Sequence, residues 1–120
     1  MDFDVAIDRK TRYVRVAVSG SPSIGQLLSL IHLLGVESET WDQTAALVDL
    51  RGVRTLFTEG DQFRIGEEAA CSLNHLDRIA SVVPADRITR ISQRAARRTG
   101  TNVCVFDDEA QAVAWLLDDS

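Results

Sequence analysis

The sequence predicts an α/β fold: one mixed, mostly parallel sheet that opens with an antiparallel hairpin and carries four helices. Three observations point there. Between Phe3 and Val18 two short runs alternate apolar and polar residues with period two. After Ser23 helical and strand-like segments take turns. Ala45–Leu50 is an almost continuous apolar run, broken only by Asp49, which suits a parallel strand covered on both faces. The resulting order, ββαβαβαβα, implies a sheet with a parallel majority and helices on its faces. The 120 residues fit one domain, 1–120, with no internal repeat and no dividing linker.

Each element has its own local reason. Phe3, Val5 and Ile7 alternate with Asp4, Ala6 and Asp8; Val14, Val16 and Val18 alternate with Arg15 and Ala17. The polar link Asp8–Arg12 joins them into a hairpin, and Ser19-Gly20-Ser21-Pro22 ends it. Ser23 with Gln26 is a capping-box signature for a helix whose core face is Ile24, Leu27, Leu28, Leu30, Ile31 and Leu34. Leu33 lies among that helix's polar residues. Val36–Gln43 is expected as a connection, with Trp41 covering the core.

Beyond the central strand, Thr58 stands at the cap of a helix over Glu59–Asn74, with Phe63, Gly66, Ala69, Ala70, Leu73 and Leu76 facing inward. Asp77–Val83 is a short buried strand ended by Pro84. Asp86 is expected to cap a helix over Arg87–Thr99, with Ile88, Ile91 and Ala95 inward and Gly100 as its stop. Asn102–Phe106 is the last strand. Asp107 or Asp108 caps a final helix bearing Ala110, Val113, Ala114, Leu116 and Leu117.

Composition narrows the function classes. A formal charge of −5 disfavours general nucleic-acid binding, which depends on neutralising phosphates. Cys71 and Cys104, with no secretory pattern at the start of the chain, favour a reducing, cytoplasmic setting. The longest apolar stretch, Ile24–Val36, is too short and too interrupted to span a bilayer, so no transmembrane segment is expected.

Two stretches carry a resemblance. Asp49-Leu50-Arg51-Gly52-Val53, followed by Thr58 and Gly60, resembles the phospho-acceptor loop of STAS domains, the anti-sigma-factor antagonist family with the SpoIIAA-like fold. In that family a strand ends in Asp-Leu-Ser-x-Val and Asp-Ser-x-Gly opens the next helix. Thr58 falls at the acceptor and Gly60 at the glycine, while Phe57 replaces the aspartate and Arg51 the serine. Val105-Phe106-Asp107-Asp108-Glu109-Ala110-Gln111-Ala112-Val113-Ala114-Trp115-Leu116 is similar to the ending of an uncharacterised bacterial branch grouped with STAS and lipid-transfer SEC14 domains.

The resemblance implies protein partners rather than turnover, and an acceptor-equivalent turn built from Thr58, Gly60, Asp49 and Arg51. Thr58 also reads as a plain N-cap. Arg87, Arg90, Arg94 and Arg97, with Arg98, would fall within about 100° on their helix, a basic face able to bind an anion or an acidic partner. The same face also reads as solvated surface. Asp49, Pro84 and Asp107 are expected near the C-terminal ends of parallel strands, where open α/β sheets bind ligands; Arg51, Asp86, Arg87 and Asp108 crowd that rim. There Asp86 and Asp108 double as caps, and Arg51 as half of an ion pair.

Cys71 and His75 share a spacing that could place them together, but no further residue completes a metal set, and no catalytic residue or cofactor is expected. The expected function is therefore a non-enzymatic, STAS-like regulatory or protein-interaction domain that forms homodimers. The alternative is a small-molecule or lipid-binding domain of SEC14 type, which requires a cavity under the Ile24–Leu34 helix.

Overall fold

Five strands lie in the order in which the chain makes them, β1-β2-β3-β4-β5, in the computed structural model, which describes residues 3–87, 90–98 and 100–118. They are β1 (Phe3–Arg9), β2 (Val14–Gly20), β3 (Ala45–Val53), β4 (Arg78–Val82) and β5 (Val103–Phe106). β1 pairs antiparallel with β2, and every later neighbour is parallel. The helices are α1 (Ile24–Ser38), α2 (Glu59–Ser72), α3 (Ile91–Arg98) and α4 (Glu109–Leu116). The predicted mixed sheet with its N-terminal hairpin and four helices is the observed architecture.

Period two in the strands sorts side chains between two cores. Val14, Val16 and Val18 of β2, with Ile79 and Val103, meet Leu27, Ile31 and Leu34 of α1 and Ala96 of α3 on one face. Leu47, Ala80 and Val82 meet Ala112 and Leu116 of α4 on the other. Val14 and Val16 have no exposure, and burying each contributes about 1.5–3 kcal/mol. Trp41 is buried, as its covering role requires.

Val5 and Ile7 pair with Val18 and Val16 and share their core face but stay exposed, because β1 is the edge strand and no further strand lies beyond it among the described residues. Several expectations are corrected. α1 does not stop at Val36 but runs to Ser38. Its Gly35 abuts α2 so closely that an added Cβ would overlap the Ser72 carbonyl oxygen, and in the extra turn the buried Ser38 hydroxyl donates to the Gly35 carbonyl at 2.9 Å. On α2 Phe63 stays 38% exposed, while Ile65 packs on the core beside the small residues Gly66 and Ala69. β3 runs on through Arg51 and Gly52 to Val53, where Gly52 fits against Ser19 of β2.

The largest correction falls after β4. Asp86 does not cap a helix beginning at Arg87. It sits in a single 3-10 turn, Ala85–Arg87, closed by the Arg87 N–H donating to the Pro84 carbonyl at 2.9 Å. Arg90 has a positive φ of 62°, and α3 begins only at Ile91. Ile88 and Thr99, named for the inward stripe and the helix end, lie outside the described residues.

Candidate functional site

The turn from β3 into α2 is held at both ends. The Arg54 N–H donates to the Gly20 carbonyl at 2.7 Å, and the Thr55 hydroxyl to the Pro22 carbonyl at 2.6 Å. Thr58 is the N-cap of α2: its Oγ1 accepts from the Asp61 N–H at 3.0 Å, and its own N–H donates to Asp61 Oδ2 at 3.3 Å. Phe57 tucks onto the main core and its carbonyl accepts from Gln62 Nε2. Leu56, beside it, is 77% exposed. Gly60 is not sterically required here, since an added Cβ would find only an ordinary contact with Thr58 Oγ1 at 3.8 Å.

Asp49 and Arg51 sit on the opposite face from the main core, and the fold gives them two partners. Arg51 donates to Asp49 through Nε and Nη2, each at 2.9 Å, and to Glu109 Oε1 at 2.6 Å. Arg15 of β2 donates to Asp49 Oδ2 at 2.6 Å and to both oxygens of Glu109 at 3.0 Å. The Arg51 hydrogen bonds hold the Asp49 carboxyl below its ordinary value, and Arg15 does the same to Glu109. Both arginines are held above theirs, Arg51 chiefly by Asp49 and Arg15 chiefly by Glu109. Carboxylates fixed in the ionised state are poor proton donors near neutrality. Thus Arg51 and Asp49 pair with neighbours rather than line an open crevice.

A cavity of about 290 Å³ opens instead on the face that carries α1 and α2, at the C-terminal ends of β3, β4 and β5. Its apolar wall includes Leu27, Leu50, Phe57, Ile65 and Val105, and Leu56 lies at its edge. A smaller gap of about 60 Å³ shares Leu27, Leu50, Ile65 and Ser81 with it and continues under α1. Of the rim residues expected at strand ends, Pro84, Asp86 and Arg87 line this cavity, while Asp49, Asp107 and Asp108 do not. Asp108 caps α4, accepting from the Ala110 N–H at 3.0 Å.

The expected basic face is dispersed. Arg87 donates to the Val53 carbonyl at the end of β3. Arg90 donates to the Val105 carbonyl and to Gln93 Oε1, both at 3.1 Å. Arg97 donates to the Val103 carbonyl at 2.8 Å, and Arg94 is exposed on α3. Arg87 and Arg90 therefore flank the cavity rather than forming a helical stripe with Arg94 and Arg97. His75 meets the Ser38 hydroxyl at 2.6 Å, and Cys71 is a free, exposed thiol. Among the described residues no group of three or more metal-donor side chains gathers, and no helix is long and apolar enough to cross a membrane.

Arg15, Glu109, Leu50 and Ser81 are not among the site residues expected from the sequence. Arg15 and Leu50 follow simple strand alternation, and only the acidic first turn after Asp108 hinted at Glu109.

A family model described as SpoIIAA-like matches residues 13–117. The comparison with curated proteins gave no match. Among solved structures, an anti-sigma factor antagonist from Mycobacterium paratuberculosis is 16% identical, with a TM-score of 0.68 over 97% of this chain and 95% of that one. An uncharacterised protein with a SpoIIAA-like fold from Shewanella loihica is 18% identical, with a TM-score of 0.58 over 95% and 93% of the two chains. At such identities the likeness is one of fold.

Proposed function

The chain belongs to the SpoIIAA-like family, and on that premise we propose that it is a non-enzymatic, STAS-like regulatory domain that binds a protein partner in the cytoplasm. The observation that carries this reading is the turn around Thr58. Leu56 and Phe63 stand exposed on either side of a cap whose backbone is pinned by Thr55, Thr58 and Gln62. Apolar side chains displayed on a rigid turn lose little entropy on docking. The fixed ionisation of Asp49 and Glu109 supports a role without acid–base chemistry, and the net negative charge supports protein over nucleic acid as partner. A protein of the same fold is an anti-sigma factor antagonist, which adds an analogy only.

A photo-crosslinking residue at position 63, introduced in the protein's own host, tests the reading. One dominant protein adduct is expected, lost on Leu56→Asp and kept on Leu33→Ser. Adducts that ignore Leu56→Asp would overturn it.

A second reading, a small-molecule or lipid-binding domain, is favoured by one observation: the apolar cavity that runs from the strand ends to beneath α1.

A further inference from the structure

We propose that this cavity is a site for a single-chain amphiphile with a carboxylate head, the head held by Arg87 and Arg90 and the tail lying over Leu50 and Ser81 toward α1. The inference rests on the second reading above and names its ligand class.

Size comes first. The volume of about 290 Å³, with about 60 Å³ adjoining, sits at the lower end of small-molecule sites, which run from roughly 300 to 1,000 Å³. One short apolar chain fits; a lipid with two acyl chains does not. Leu, Val, Ile and Phe side chains make up most of the wall, with Thr55, Gln62 and Ser81 the uncharged polar side chains among them, so the buried part of a ligand must be mainly apolar.

The mouth supplies the charge. Arg87 and Arg90 both line it, and neither has a carboxylate within ion-pair distance among the described residues. That is notable in a chain with 18 acidic and 13 basic side chains. Asp86 also lines the cavity and makes no such pair. Each arginine is anchored through Nη1 to a strand-end carbonyl, Arg87 to Val53 and Arg90 to Val105. A guanidinium has five N–H donors, so each retains others for a planar, bidentate acceptor such as a carboxylate. Arg90 is also the only non-glycine residue with positive φ among those described. Backbone strain of this kind persists where the surroundings fix it, and it concentrates at ligand sites. Here it sets a cation at the entrance of an apolar pocket.

The test is calorimetric titration of the intact protein with decanoate, below its micelle-forming concentration, and with decan-1-ol, which has the same tail and no charge. Decanoate should bind with one-to-one stoichiometry and a negative heat-capacity change. It should bind roughly tenfold or more tighter than the alcohol, the margin expected of charge-assisted hydrogen bonds. The double variant Arg87→Gln, Arg90→Gln should bring that ratio close to one while alcohol binding persists. If circular dichroism shows the variant unfolded, the ratio on the native protein decides alone. Equal binding of both compounds overturns the carboxylate assignment but keeps the cavity as an apolar site. Failure of both overturns the cavity reading as well. Binding to phospholipid vesicles without binding to decanoate overturns the proposal in favour of a membrane surface.

Discussion

Arg15 and Glu109, 94 residues apart, form a bidentate pair: Nε to Oε2 and Nη2 to Oε1, each at 3.0 Å. It joins β2, next to the sheet's edge, to the first turn of the last helix, and Asp49 and Arg51 complete the network.

The network makes stability acid-sensitive. Asp49 and Glu109 are both depressed in the folded state, so the unfolded chain takes up protons at a higher pH than the folded one. Their contribution is whole above about pH 5, starts to fall near the ordinary carboxylate values of about 4, and is gone below the folded values. Urea midpoints should be flat from neutrality to about pH 5 and then drop. Arg15→Gln should cost about 2 kcal/mol at pH 7 and flatten the acid limb. An unchanged acid limb in the variant would show that the network adds nothing.

Thr58 works as a cap. Thr58→Ala should cost about 1 kcal/mol in chemical denaturation, and Thr58→Ser should be nearly neutral. Glu59 and Asp61 already occupy the first turn of α2, and a phosphate carrying about −1.5 to −2 charge would be repelled by them. Thr58 is therefore expected unmodified in protein isolated from its own host, as intact mass would show. A phosphorylated Thr58 would contradict this.

Gly35 fixes the distance between α1 and α2. A methyl group there overlaps the Ser72 backbone oxygen, which no rotamer change can relieve. Gly35→Ala gains up to about 1 kcal/mol in helix propensity but should lose about 1–3 kcal/mol by overpacking. Net destabilisation is expected in urea unfolding, and a stabilised variant would refute the close seam.

Leu33 and Val36, one turn apart on α1, are 62% and 58% exposed. Two such side chains on one helix face are expected to bury themselves against a second copy of the chain. Sedimentation should give a dimer that Leu33→Glu converts to monomer. A monomer at high protein concentration would refute the interface.

What the sequence by itself determined is what neighbours within a turn or a strand decide. Alternation at Val14, Val16 and Val18, the Ser23–Gln26 and Thr58–Asp61 capping boxes, and the exposure of Leu33 each depend on residues a few positions away. Spacing alone therefore revealed them, and with them the order of elements and the fold. The tertiary structure decided the rest. Arg87 and Arg90 have the spacing of one helix face, but the free carbonyls of Val53 and Val105, at the ends of strands distant in sequence, bind them first. α3 accordingly starts late, at Ile91, and both cations stand at the mouth of a cavity. Its walls come from α1, α2, β3, β4 and β5, and no local pattern could assemble them, because a cavity is the space left when distant elements pack.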